Sequence, residues 1–168
     1  MVMRRFALLV ALLLAPLVAA RAETIRIVAL GASNAAGTGV GSEAAWPAQL
    51  ERMLRAKGYD VSVAVNAVPG DGSAGYLSRA DAAASGARAV VYDTGYYNDG
   101  RIGVSPAVTQ ANIAQIQAHI RARGAAAIHI MLDSAIPLLD DIHPTEKGHA
   151  MLAARAVPGV IAAIGKRK

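Results

Sequence analysis

Short apolar runs alternate along the chain with longer stretches in which apolar residues recur at helical spacing. The runs are 25–30, 61–65, 89–92 and 126–132, and turn residues follow each of them. Runs of this length predict buried strands, and their alternation with helical segments is typical of a parallel sheet covered by helices. The pattern therefore predicts an α/β fold.

Four segments carry the apolar spacing or the helix-starting residues of helices, and they cover 44–57, 75–84, 106–123 and 144–157. Ser42 is a candidate cap of the first helix, and Gly58 is expected to end it. Pro144 suits the first turn of the last helix, which we expect to be interrupted at Pro158. One compact domain accommodates all of these elements.

The loops that follow the predicted strands hold nearly all of the unusual polar residues. These loops are 31–41, 69–75, 94–104 and 133–143. In open α/β sheets, ligands bind beyond the carboxyl ends of the strands, where such loops meet. The sequence therefore predicts a functional site at this edge of the sheet.

Residues 1–22 have the pattern of a secretory signal peptide: a basic start, an apolar stretch and a cleavage motif, Ala-Arg-Ala, at 20–22. The alternative is an uncleaved anchor, but the apolar stretch contains Pro16 and is short against the roughly 20 residues that span a bilayer. We therefore expect a mature domain of residues 23–168 in the periplasm or outside the cell, without stable membrane insertion.

Composition excludes several classes of site. Loss of residues 1–22 lowers the basic residues from 17 to 14 against 12 acidic ones, and the formal net charge from +5 to +2. The remaining basic run, 166–168, suits a solvated terminus, so no nucleic-acid partner is expected. The chain has no cysteine, and none of its histidines has helical metal-ligand spacing. We therefore expect no metal or other cofactor, with His119 and His149 at or near the surface and His129 structural.

Three residues form a candidate catalytic set. Ser33 follows the first predicted strand by three residues, so its hydroxyl can project from the sheet edge. His143 is the candidate base that activates it. Asp140 precedes His143 by three residues, a spacing that lets the carboxylate bind Nδ1 and leaves Nε2 free. Taken singly, Ser33 also fits a turn or cap residue, and the other two fit a polar helix start.

Four motif blocks, in order, resemble those of the SGNH/GDSL hydrolases, a family that includes acyl-thioesterase/lysophospholipase, arylesterase and acetyl-esterase members. The blocks are Gly-Ala-Ser at 31–33, Asn-Ala-Val-Pro-Gly-Asp at 66–71, 95–99 with its Asn-Asp pair, and Asp-Asp-Ile-His at 140–143. The resemblance implies a flavodoxin-like, three-layer α/β/α fold with a parallel sheet of four to five strands. It also implies a serine esterase that acts on small-molecule carboxylic esters or thioesters without a cofactor.

By the same resemblance, Ser33 is the nucleophile that forms an acyl-enzyme, His143 is the general base and Asp140 is its orienting acid. The resemblance also implies that the backbone N–H groups of Ser33 and Gly70 and the side-chain amide of Asn98 form the oxyanion hole. Fixed donors of this kind stabilise the charge that a tetrahedral intermediate concentrates on one oxygen.

The chain departs from the family pattern near three of these blocks. Ala32 stands where the family has aspartate, at a position that is not one of the reacting groups. Two tyrosines, 96–97, precede Asn98, so either Gly95 serves one residue early or the loop is rebuilt. Only seven residues, 133–139, stand where the family has a further helix and strand, so we expect an exposed side of the site or a missing edge strand. The alternatives are a non-catalytic binding module and a deacetylase of cell-envelope carbohydrate.

Overall fold

In the computed structural model, which describes residues 23–165, one parallel sheet has the strand order β2-β1-β3-β4. Its strands are β1 (Ile25–Gly31), β2 (Val61–Ala67), β3 (Ala89–Tyr92) and β4 (Ala126–His129). The register places Ile27 opposite Val63 on one side and Ala89 on the other. The predicted α/β fold with a four-stranded parallel sheet is confirmed, whereas the predicted signal peptide lies outside the described residues.

Helices cover both faces of the sheet. They are α1 (Ser33–Ala36), α2 (Trp46–Ala56), α3 (Ser73–Ala84), α4 (Tyr96–Arg101), α5 (Pro106–Ala122) and α6 (Glu146–Ile164). Ile27 and Ala29 of β1 belong to the core beneath α2 and α6, and Val28 and Leu30 belong to the core beneath α3 and α5. Because both faces of β1 are buried, its sequence is a continuous apolar run.

The last helix extends further than its sequence predicted. Thr145 caps α6 by accepting the Gly148 N–H at 3.1 Å, and the helix continues through Pro158 to Ile164. Proline removes one backbone hydrogen bond, but Val160 and Ile164 beyond it are buried in the core. The predicted interruption at Pro158 was therefore wrong, because packing of the apolar face outweighs the local cost.

Other boundaries differ locally. Ala45 occupies the N-cap of α2 without a side-chain hydrogen bond, so Ser42 is not the cap. The fourth strand ends at His129 rather than at 132, and α1 and α4 lie in segments that had been predicted as loops. No helix within residues 23–165 has the length and apolar character needed to cross a bilayer.

Candidate active site

The turn that carries the predicted nucleophile, residues 31–33 and here called the nucleophile turn, joins β1 to α1 and makes Ser33 the first residue of that helix. Ser33 is only 8% exposed and contributes to the wall of a pocket. A Cβ added at Gly31 would lie 2.6 Å from the Cβ of Ala35, so glycine is needed for α1 to fold back onto the end of β1. Packing against the strand thus fixes the position of the serine.

Asp140 and His143, here called the Asp–His pair, are joined by a hydrogen bond of 2.7 Å between Oδ2 and Nδ1. The other carboxylate oxygen, Oδ1, accepts the backbone N–H of Ile142 at 2.9 Å and of His143 at 2.7 Å. The hydrogen bond from the His143 ring, followed by these two backbone N–H groups, holds the pKa of Asp140 well below its usual range. With the carboxylate ionised, Nδ1 carries the ring proton and Nε2 is left as an acceptor.

The shortened connection 133–139 is anchored to α6. Asp133 forms an ion pair with Arg155 at 2.9 Å, and the carbonyl of Pro137 accepts the Thr145 N–H at 2.9 Å. These contacts hold the connection against the N-terminal half of the helix. The short connection therefore still leads to a formed Asp–His pair, although the further helix and strand expected from the resemblance are missing from it. Accordingly, β4 is an edge strand of the sheet.

The glycine loop, residues 68–72, carries the second predicted donor. Gly70 has φ 88°, a left-handed backbone conformation that residues other than glycine rarely adopt. The Nδ2 group of Asn98 donates to the Asp71 carbonyl at 2.7 Å, which ties α4 to this loop. An amide has two N–H donors, and this is one Asn98 side-chain hydrogen bond found among residues 23–165, so the side chain keeps a further donor.

Other contacts tie α4 to the neighbouring helices. Gly95 has φ 67° and forms the N-cap of α4, whose first turn contains both tyrosines and leads to Asn98. Asp99 is buried, where its Oδ1 accepts the Ser73 N–H at 3.0 Å and its Oδ2 accepts the Thr109 hydroxyl at 2.6 Å. Asp99 therefore fastens α4 to α3 and α5.

The pocket has a volume of about 520 Å³ and is largely apolar. Its lining residues include Ser33 and Asn98, together with apolar side chains from several elements: Trp46, Ile130, Met131, Leu132, Ile142 and Leu152. Gly70 and His143 are not among the lining residues. The structure thus brings two of the predicted site residues to one pocket, and the Asp–His pair flanks the lining residue Ile142 in sequence.

Ser33 and His143 are not in hydrogen-bond contact. Among residues 23–165, no side-chain hydrogen bond joins the Ser33 hydroxyl to the imidazole. Of the predicted serine-histidine-aspartate set, the Asp–His pair is therefore formed and the Ser33–His143 contact is not. Catalytic contacts are commonly long before substrate binds.

Sequence reasoning missed a carboxyl group in the pocket. Asp93 follows β3 directly, and its Oδ1 accepts the Tyr76 hydroxyl at 2.5 Å and the Gly95 N–H at 3.2 Å. Burial raises the pKa of Asp93, although both hydrogen bonds oppose the rise. Its position at the carboxyl end of a strand was the signal that could have identified it.

Of the histidines, His119 is exposed as predicted, whereas His149 is not where the sequence placed it. His149 was expected at or near the surface but is fully buried, and its Nδ1 accepts the Trp46 backbone N–H at 3.2 Å. Its burial, with a smaller contribution from the charge of His143, lowers its pKa to about 4. His129 lines the pocket and stacks on Tyr92 with ring centroids 5.5 Å apart. Within residues 23–165, no three acidic or histidine side chains are grouped as metal ligands.

The amino-acid sequence is similar to those of known proteins. The sequence profile of the GDSL-like Lipase/Acylhydrolase family matches residues 29–139, which include Ser33, Gly70 and Asn98 and end one residue before Asp140. The chain is 37% identical to Esterase TesA of Pseudomonas aeruginosa over 111 residues, 65% of this chain and 54% of that protein. The chain therefore spans about half the length of this curated relative.

Solved structures share the fold. A crystal structure of TesA superposes with a TM-score of 0.71 at 24% identity, covering 82% of this chain and 99% of that chain. The psychrotrophic esterase EstA from Pseudoalteromonas sp. gives a TM-score of 0.63 at 19% identity, covering 84% and 99% of the two chains. These likenesses confirm the architecture of a parallel sheet between helical layers.

Proposed function

The chain belongs to the GDSL-like lipase/acylhydrolase family, as its motif blocks predicted, and from this premise we propose that it is a serine esterase. Its substrates would be small-molecule carboxylic esters or thioesters, and the reaction would pass through an acyl-enzyme on Ser33. The observation that carries the proposal is the Asp–His pair, which lies outside the family match and is nonetheless formed with a 2.7 Å hydrogen bond. Such a pair orients an imidazole for general-base catalysis, which favours the enzyme over the binding-module alternative.

The first half of the reaction transfers the acyl group to the protein. The Ser33 oxygen attacks the carbonyl carbon of the ester while Nε2 of His143 accepts the serine proton. The negative charge on the former carbonyl oxygen would be bound by the N–H groups of Ser33 and Gly70 and by the Asn98 amide. Each such donor contributes about 10²-fold to 10³-fold in rate. Collapse of the intermediate breaks the bond to the alcohol or thiol, which takes the proton from His143.

Hydrolysis of the acyl-enzyme restores the serine. A water molecule gives its proton to Nε2 of His143 and attacks the acyl carbon, and the same donors bind the second oxyanion. The carboxylic acid then leaves as the proton returns to Ser33. Throughout the cycle Asp140 remains ionised and stabilises the imidazolium, because three hydrogen-bond donors point at its carboxylate.

The pocket favours an apolar acyl or aryl group on the substrate. Trp46, Ile130 and Leu152 contribute apolar walls, and Tyr96 and Tyr97 are partly exposed members of the lining. A carbohydrate acetyl ester, the substrate of the deacetylase alternative, would leave most of this surface without a partner. We also propose that residues 1–22 direct the domain to the periplasm or the cell exterior, since they have the three parts of a signal peptide.

Ester turnover tests the proposal. The purified protein is assayed with p-nitrophenyl esters from acetyl upward, beside Ser33→Ala and Ser42→Ala. Ser42 is an exposed serine that makes no side-chain hydrogen bond among the described residues, so its variant is a matched control. We expect Ser33→Ala to lower kcat by about 10⁴-fold or more and Ser42→Ala to leave it unchanged.

Two results would overturn the proposal. Turnover retained by Ser33→Ala would show that another group is the nucleophile. A folded wild-type protein, as judged by circular dichroism, that hydrolyses none of the esters would favour the binding-module alternative.

A further inference from the structure

Arg79 of α3 lies beneath the carboxyl edge of the sheet and takes no part in the proposed chemistry. We infer that Arg79 is a positioning residue whose guanidinium fixes the glycine loop against the nucleophile turn. It thereby sets the spacing between the backbone donors of Ser33 and Gly70. The catalytic consequence of this inference depends on the proposed function, whereas its geometric content does not.

The guanidinium joins the two segments directly. One nitrogen, Nη2, donates to the Gly31 carbonyl at 3.2 Å and to Oδ2 of Asp71 at 2.7 Å. Gly31 lies two residues before Ser33, and Asp71 lies one residue after Gly70. A single nitrogen therefore bridges the turn that carries the nucleophile and the loop that carries the second donor.

The second nitrogen fixes the arginine to the sheet. Nη1 donates to both the carbonyl and the side-chain oxygen of Asn66 on β2, at 2.8 and 2.6 Å. The guanidinium carbon also lies 5.7 Å from the centroid of the Tyr76 ring. Four hydrogen bonds and a ring contact leave the Arg79 side chain only 19% exposed.

Two further contacts extend the effect of this bridge. The Gly31 carbonyl also accepts the Val68 N–H at 3.2 Å, so the start of the glycine loop lies against the end of β1. The Asp71 carbonyl accepts the Asn98 amide, so the third donor is fastened to the same loop. Movement of Asp71 relative to Gly31 would therefore displace the Gly70 and Asn98 donors together.

The geometry requires arginine in particular. A planar guanidinium presents several donors in fixed directions, whereas a lysine ammonium is a compact charge on a flexible stem. Arg79→Lys would keep the charge beside Asp71 but lose the simultaneous bonds to β1, β2 and the glycine loop. A displacement of about 1 Å in such a site can cost about 10²-fold in rate.

The first experiment measures kinetics on Arg79→Lys and Arg79→Gln, with Arg123→Gln as the control. Arg123 also forms an ion pair, with Asp81, but is exposed and lies three residues before β4, at the amino edge of the sheet opposite the site. We expect kcat to fall about 10-fold to 10²-fold in both Arg79 variants with little change in KM, because misplaced donors act on the transition state. Arg123→Gln is expected to leave both constants unchanged.

The second experiment measures amide hydrogen exchange under native conditions in peptides covering 31–36 and 66–72. We expect faster exchange in both peptides in the Arg79 variants, with the core strand β3 and the Arg123 variant unchanged. If Arg79→Gln does not fold, Arg79→Lys and Asp71→Asn supply the same comparison. Unchanged exchange in both peptides would overturn the inference, whether or not the protein hydrolyses esters.

The kinetic and exchange results distinguish the two claims. Lower thermal stability with unchanged kcat would show that Arg79 is only structural, and would overturn its positioning role. An inactive wild-type protein would overturn the proposed function alone, and the exchange data would then decide whether Arg79 couples the two segments.

Discussion

His149 should make the stability of the fold depend on pH between about 4 and 6.5. Its ring is fully buried, and Nδ1 accepts the Trp46 N–H. Protonation would turn this acceptor into a donor that faces another donor. Below the ordinary histidine pKa of 6.5, the His149 ring is protonated in the unfolded chain but stays neutral in the folded chain. The free energy of unfolding therefore decreases as the pH falls.

The magnitude follows from the two pKa values. The His149 pKa of about 4 lies well below the 6.5 of an exposed histidine. Proton linkage converts this gap into a loss of about 3 kcal/mol below pH 4, of which about 2 kcal/mol is already lost at pH 5. The stabilising contribution is fully present above the unfolded pKa.

Urea unfolding of the wild-type protein and of His149→Asn at about pH 7.5 and about pH 5 measures this contribution. Asparagine keeps an acceptor for the Trp46 N–H but does not titrate, and the carboxyl groups titrate alike in both proteins. We expect the wild-type protein to lose about 2 kcal/mol more than the variant between these pH values. The exposed His119, replaced by asparagine, is the control. Equal losses in wild-type and His149→Asn protein would refute the reasoning.

Two other carboxyl groups give distinct predictions. Asp140→Asn should lower kcat by about 10⁴-fold, because the imidazole loses the acceptor that fixes its tautomer. Asp141→Asn is the control and should have little effect on kcat. Equal losses of kcat in steady-state assays would show that the wrong carboxylate was assigned. Burial raises the pKa of Asp93, so its protonated form is favoured by folding and the stability it gives is lost as the pH rises above the usual carboxyl range. Asp93→Asn should therefore gain stability relative to wild type as the pH rises above the usual carboxyl range, and a pH-independent difference in urea unfolding would contradict this.

Features that depend on neighbouring residues could be predicted from the sequence. The apolar runs gave the strands because central parallel strands are buried on both faces, and β3 was predicted with its observed bounds. The spacing between Asp140 and His143 spans three residues, so one turn suffices to bring their side chains together. Ser33 and Asn98 could be assigned to one pocket because both follow strands of a parallel sheet, whose carboxyl ends lie at the same edge.

Features that depend on distant contacts could not be predicted in this way. His149 is buried by Trp46, 103 residues away, and Arg79 reaches Gly31 across 48 residues. Pro158 remains inside α6 because residues that follow it pack on the sheet, which local propensity does not reveal. The open Ser33–His143 contact likewise depends on side-chain positions rather than on sequence order.

Covalent labelling tests the central claim, that Ser33 is a nucleophile activated by His143. The protein is treated with diethyl p-nitrophenyl phosphate, from which an activated serine displaces p-nitrophenolate while a phosphorus–oxygen bond forms. Peptide mass mapping should then locate about one diethyl phosphoryl group per chain on Ser33. His143→Gln should label far more slowly, and Ser42→Ala at the wild-type rate. A label on another residue, or no label on Ser33 in a protein that hydrolyses esters, would contradict the account.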